Sequence, residues 1–150
     1  MLEVRQLGLD GVLEIVPKRH GDARGYFIET WNAEAFAETG LRVIRGKILD
    51  VAVDIRRSSK TFGKWVALEI SAERGNQILV PKGFAHGFVT LVPDTEVLYK
   101  VTDTYSPAHD RSIRFDDPDI GIDWPSPAGA FELSAKDLKA SALAEAEVFA

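Results

Sequence analysis

Apolar and polar residues alternate in short runs along most of this 150-residue chain, the period expected of strands that bury one face. The runs at 11–16 (GVLEIV), 25–30 (GYFIET), 43–55 (around LDVAVDI), 64–70 (KWVALEI) and 77–80 predict strands. So do 88–91, 96–101 and 112–115. The turn-forming clusters HGDARG, SSKTFG, AERGN, PKG, VPDT, SPAHD and PSPAG punctuate these runs at regular intervals. Residues 32–39 (NAEAFAET) predict a short helix with Asn32 as N-cap and Gly40 at its end. The Ala-, Lys- and Glu-rich stretch 134–150 predicts a helical tail, opened by a capping-box-like pair, Ser134 and Asp137. Many short strands and few helices indicate a mainly β fold, a jelly-roll barrel or sandwich, filling residues 1–150 as a single domain.

Composition narrows the chemistry. The chain has no cysteine, which removes disulfides, thiolate metal sites and thiol nucleophiles and suits the cytosol. No apolar run is long enough to cross a bilayer as a helix, and the start MLEVRQLGLDGVLEIV lacks the basic and apolar blocks of a secretory leader. A formal charge of −5 argues against a general nucleic-acid binder. The three histidines, His20, His86 and His109, show no ligand spacing within a strand, so a transition metal would depend on carboxylates and one imidazole. There is neither a G-x-S-x-G elbow nor a phosphate-binding G-x-x-x-x-G-K-S/T loop.

What remains is concentrated in 80–107, VPKGFAHGFVTLVPDTEVLYKVTDTYSP, where one imidazole and two phenols sit among apolar neighbours. His86, in GFAHGF, reads either as a core histidine held by a backbone carbonyl or as a polar group lining a cavity. Tyr99 shares a strand face with Val97 and Val101, the usual setting of a core tyrosine with its hydroxyl tied off. Tyr105, at a Ser-Pro turn, reads as structural. Arg24 and Glu29 fit solvated hairpin charges, or an arginine that grips phosphate and a carboxylate that accepts from a nucleobase or sugar. Lys136 and Asp137 fit charges at a helix start.

Six blocks in order resemble the dTDP-4-dehydrorhamnose 3,5-epimerase family of cupin-like jelly rolls: GDARGYFIETWN, GKILDVAVDIRRSSKTFGKWVALEISAE, ILVPKGFAHGFVTL, LYKVTDTYSP, IRFDDPDIGIDWP and LSAKD. They cover nearly the whole chain. The resemblance implies an enzyme that inverts carbons 3 and 5 of dTDP-4-keto-6-deoxyglucose through enolates, on the way to dTDP-L-rhamnose, with no metal or organic cofactor. It implies a cytosolic homodimer whose partner is a dTDP-4-keto-6-deoxy sugar, not nucleic acid or membrane. Carried over by position, Tyr99 is the proton donor and Asp137 orients the base histidine. Lys136 and His86 contact the substrate, Asp110 matches an acidic position after the Tyr-Ser-Pro turn, and Arg24 with Glu29 bind the nucleotide across the dimer boundary.

One block is missing. Between its first helix and GKxxDVAVDIR the family pattern carries QDNHS and LRGLHxQ, which supply the base histidine; here Thr39-Gly40-Leu41 runs straight into Arg42-Val43-Ile44. The gap is on the order of thirty residues, about two strands and their loops. Such a loss should leave open strand edges and apolar surface, and no compensating segment is visible. Two further readings follow: a non-catalytic sugar-nucleotide-binding relative, or an enzyme acting on another dTDP-4-keto-6-deoxy sugar.

Overall fold

The alternating runs become antiparallel strands in a computed structural model that describes residues 2–23, 25–29, 40–125 and 131–150. The expected helix at 32–39 lies outside the described residues. Ten strands are described: β1 (Glu3–Gln6), β2 (Leu13–Val16), β3 (Arg19–Asp22), β4 (Gly25–Ile28), β5 (Gly40–Arg45), β6 (Lys47–Asp54), β7 (Trp65–Ser71), β8 (Gln77–Leu79), β9 (Phe84–Thr90) and β10 (Glu96–Tyr99). They form a five-stranded sheet in the order β1-β2-β8-β5-β10, a three-stranded sheet β7-β6-β9 and a hairpin β3-β4. The mainly β, jelly-roll-like sandwich expected from the alternation is what the chain builds.

The larger sheets close on one core. Leu41 and Val43 of β5 and Ile78 of β8 meet Ile48 and Ala52 of β6 and Leu68 and Ile70 of β7. All are buried, and at ~25 cal/mol per Å2 of apolar surface this contact is the main term holding the sandwich shut. The other face of β6 is also covered. Val51, Val53 and Ile55 pack with Ile120 and Leu143, flanked by Ile113, Ile122, Trp124 and Val148. The C-terminal third is therefore a cover for the outer face of the three-stranded sheet.

The run 43–55, read as one strand, divides at Gly46. There φ is +78°, and a side chain would collide with Thr95; only glycine turns the chain from one sheet into the other at this point. The strand at 88–91 begins earlier, at Phe84, whereas 112–115 contributes only a bridge from Ile113 to Ser141.

The helical tail does not form. Residues 134–150 contain a single 3-10 turn, Asp137–Lys139. The start is as expected, with the Asp137 amide donating to Ser134 Oγ at 3.1 Å. Beyond it, Leu138, Leu143 and Val148 recur every five residues, a spacing that scatters them around a helix instead of aligning them. An extended path instead buries Leu143 and bonds Phe149 to β6's end, its amide donating to the Ile55 carbonyl at 3.1 Å and its carbonyl accepting from the Arg57 amide at 2.8 Å. Tertiary pairing overrides the helical preference of Ala, Lys and Glu.

Asp54, fully buried at the end of β6, accepts from Arg56 Nε and Nη2 at 2.9 and 2.7 Å, from Ser59 Oγ at 2.6 Å and from Thr61 Oγ1 at 2.6 Å. The Arg56 hydrogen bond, seconded by the two hydroxyls, holds its carboxyl far below the usual carboxylate range. A depressed folded-state pKa adds stability that is present above the unfolded value of about 4 and is lost as pH falls below it. Asp54→Ala strands Arg56 and two hydroxyls and should cost about 3 kcal/mol. Urea unfolding at pH 7 checks this, and the deficit against the parent should shrink as both are unfolded at lower pH.

Candidate functional site

Tyr99 ends β10, the edge strand of the larger sheet. It pairs with Leu41 across β5, so both side chains share the inner face of the sandwich. It is not the tied-off core tyrosine that its alternation suggested. Because β10 is an edge and stops there, the side chain is 65% exposed. It lines an open cleft of about 1050 Å3 with Val80, Pro81, Tyr105, His109 and Asp110.

Asp110 organises that cleft. Its carboxylate accepts from Lys136 Nζ at 2.9 and 3.1 Å and from the Tyr105 hydroxyl at 3.1 Å. Two segments apart in sequence meet here: the Tyr-Ser-Pro turn running into the 3-10 turn Pro107–His109, and the residue before Asp137–Lys139. The Lys136 hydrogen bond draws the Asp110 carboxyl below its usual range, and Asp110 in turn raises Lys136. The hydrogen bond to Asp110 also raises the Tyr105 phenol, with the Asp110 charge acting in the same direction. Tyr105, read as structural, is 76% exposed and belongs to the cleft wall.

His86 stands elsewhere. It lies on the inner face of β9, opposite Ala52 of β6, and is not part of that cleft wall. Its partner is a carboxylate and not the backbone carbonyl expected of a core histidine. Its Nε2 is 2.8 and 2.9 Å from the two carboxylate oxygens of Asp50. Asp50 is fully buried while the imidazole side chain is 32% exposed. Burial pushes the Asp50 carboxyl above its usual range, and the hydrogen bond and charge of His86 oppose that rise. Asp50 is a partner of His86 that the sequence reading missed. The signal was available: in ILDVAVD the residues Ile48, Asp50, Ala52 and Asp54 share the core face of one strand, and carboxylates there need partners.

The remaining expected residues are less converged. Asp137 is exposed and accepts from Ser134 Oγ at 2.7 Å; among the described residues it meets no imidazole. Glu29 is exposed just beyond β4. Arg24 lies outside the described residues. Among those described, no three His, Asp or Glu side chains gather into a set that could hold a metal ion.

Comparison with known proteins gives the family. The family model described as dTDP-4-dehydrorhamnose 3,5-epimerase matches residues 6–43 and 40–145. The chain belongs to this family. A protein of that name from Pseudomonas aeruginosa is 37% identical over 181 aligned positions, covering 99% of each chain. One from Sinorhizobium fredii is 40% identical over 178, covering 96% of this chain and 91% of the other. A crystal structure of the Legionella pneumophila dTDP-6-deoxy-D-glucose-3,5-epimerase in complex with dTDP-4-keto-L-rhamnose superimposes with a TM-score of 0.92, at 32% identity, covering 97% of this chain and 94% of that one. The two matched pieces of the family model meet at 40–43, where the family pattern is interrupted. The S. fredii alignment of 178 positions exceeds the chain's 150 residues, so at least 28 positions have no residue here.

Asp110→Asn tests the cleft's wiring. The Tyr105 phenol should return towards the usual tyrosine value of 10.0, so its ring-carbon NMR titration should move to lower pH than in the parent. An unmoved titration would show that Asp110 does not govern it.

Proposed function

We propose that this chain binds a dTDP-linked 4-keto-6-deoxy sugar and epimerises it at the carbons flanking the ketone, without a metal or organic cofactor. The observation that carries the reading is Tyr99: a phenol on the inner face of the sandwich, exposed in a cleft that Tyr105 and Asp110 also line, with Lys136 hydrogen-bonded to Asp110. A proton on a carbon α to a ketone is acidic enough for a side chain to remove, because the negative charge passes to the ketone oxygen. A phenol then returns a proton to carbon from the other face, and nearby donors such as Lys136 stabilise the enolate. A cleft of about 1050 Å3 has room for a sugar nucleotide.

Arg24 and Glu29 are assigned to the nucleotide and Asp137 to positioning, on the family resemblance. The chain is further read as a cytosolic homodimer. The β3-β4 hairpin supports the dimer: it leaves Tyr26 62% and Phe27 68% exposed, a pair of aromatics suited to a second copy. No helix among the described residues is long and apolar enough to cross a membrane. A second reading, a sugar-nucleotide binder without turnover, is favoured by one observation, the interruption at 40–43 that removes the block with the base histidine.

The deciding experiment incubates the chain with dTDP-4-keto-6-deoxyglucose in deuterium oxide, with dTDP affinity measured by calorimetry. Deuterium entering carbons 3 and 5 supports the epimerase; dTDP binding without exchange supports the binder; neither rejects both. In the active case Tyr99→Phe should lower turnover by about 100-fold or more while leaving dTDP affinity nearly unchanged. Arg24→Ala should weaken dTDP binding first, and unchanged affinity would reject its nucleotide role.

A further inference from the structure

Enolisation requires a base, and the block that supplies it in the family has no counterpart here. Three imidazoles are present. His20 lies on the exposed strand β3, and His109 Nδ1 sits 2.8 Å from Ser106 Oγ. Neither has a carboxylate partner among the described residues. His86 does. Its Nε2 is held at 2.8 and 2.9 Å by both oxygens of Asp50, a carboxylate sealed in the sandwich while the imidazole itself reaches solvent. A histidine held at one nitrogen by a buried carboxylate has a fixed ring, and its other nitrogen is left for chemistry.

Position supports the same role. His86 faces inward from the three-stranded sheet, in line with Phe84, which packs on the core. Tyr99 faces inward from the five-stranded sheet, in line with Val97, which packs on the same core. Face-to-face sheets lie about 10 Å apart, and β9 and β10 are the edge strands of the two sheets, so a sugar reaching from the Tyr99 cleft towards β9 would meet the two groups from opposite sides. Inversion at carbon demands such a pair, one group removing a proton from one face and the other delivering to the opposite face. Phe88, two residues along β9 on the same side and 47% exposed, adds an apolar surface beside the imidazole.

We propose that His86, oriented by Asp50, is the base of this chain, with Tyr99 as the opposing acid. The inference rests on the epimerase reading above. With Nε2–H donated to Asp50, the lone pair on Nδ1 takes the proton from the carbon α to the ketone. The C–H electron pair becomes the enolate double bond, and the carbonyl π pair moves onto oxygen. The enolate then collapses to the ketone as its carbon takes the Tyr99 hydroxyl proton on the other face. Imidazolium and phenolate remain, and solvent returns the proton to one and removes it from the other.

The test uses the parent chain, His86→Ala and Asp50→Asn in the deuterium-exchange assay, with dTDP calorimetry on each. His86→Ala should lose about 100-fold or more of the exchange and keep its dTDP affinity within about threefold, a span worth under 1 kcal/mol. Added imidazole should restore part of the exchange, which a merely structural histidine would not allow. Asp50→Asn should lower kcat for the exchange with KM nearly unchanged, because the imidazole loses the carboxylate that fixes its ring and tautomer. The His86→Ala rescue decides independently of how the variant at buried Asp50 folds. Exchange that survives in His86→Ala, or stays unrescued by imidazole, overturns the proposal. A parent that binds dTDP but exchanges nothing overturns it too and leaves the binder reading standing, whereas a parent that does neither removes the function on which it rests.

Discussion

β6 is buried on both faces, and this constraint shapes the rest of the molecule. Its inner residues Ile48 and Ala52 close the sandwich, and its outer residues Val51 and Val53, with Ile55 just past its end, hold the C-terminal third. A strand sealed on two sides cannot leave a charge unpartnered, because a carboxylate in an apolar interior costs several kcal/mol unless its hydrogen bonds are met. Asp50 and Asp54 are therefore anchor points. Asp50 recruits an imidazole from the neighbouring strand, and Asp54 recruits a guanidinium and two hydroxyls from the following turn. One local rule yields a reactive-looking pair in one place and a structural clamp four residues away. What separates them is access: the His86 side chain reaches solvent beside an open sheet edge, while the Asp54 cluster is enclosed by its own loop.

The same logic operates at Glu14, buried on β2. Burial alone would raise its carboxyl, but hydrogen bonds from Asn76 and Arg5, with the charges of Arg5 and Arg74, outweigh it and hold the group below its usual range. Asn76, itself fully buried, also donates to the Glu69 carbonyl at 2.9 Å. This second polar knot ties β2 in the larger sheet to the turn after β7 in the smaller one. The sandwich is thus fastened by apolar contact in the middle and by satisfied carboxylates towards its margins. That division explains how the fold of the relatives persists at a TM-score of 0.92 despite the interruption at 40–43. β5 contains the junction and still lodges between β8 and β10 through Leu41 and Val43.

Most strands were legible because alternation reports one-sided burial directly. Where reading and structure part, the cause is a contact that sequence spacing does not encode. The 43–55 run hides a sheet change because both halves alternate in phase, and only Gly46, pressed against Thr95, marks the corner. The tail keeps the composition of a helix, but its apolar residues recur at five, and backbone pairing with β6 claims it. In the site, the meeting of Asp110, Tyr105 and Lys136 joins turns tens of residues apart, so the resemblance could indicate it and periodicity could not. Tyr99 was read as core because nothing in its neighbourhood reveals that β10 is an edge. Asp50 was the avoidable omission, since its phase with Ile48 and Ala52 already placed an acid on the inner face.

Among the described residues β9 is hydrogen-bonded only to β6, so its outer rim is an edge seven residues long. Its sequence, FAHGFVT, contains no Lys, Asp, Glu or Pro, the residues by which sheet proteins usually discourage docking of a stray strand. Free amide and carbonyl groups along such a rim are a template for any extended backbone. The consequence is colloidal: pairing of this rim with a second chain is bimolecular, so its pull towards association grows with protein concentration.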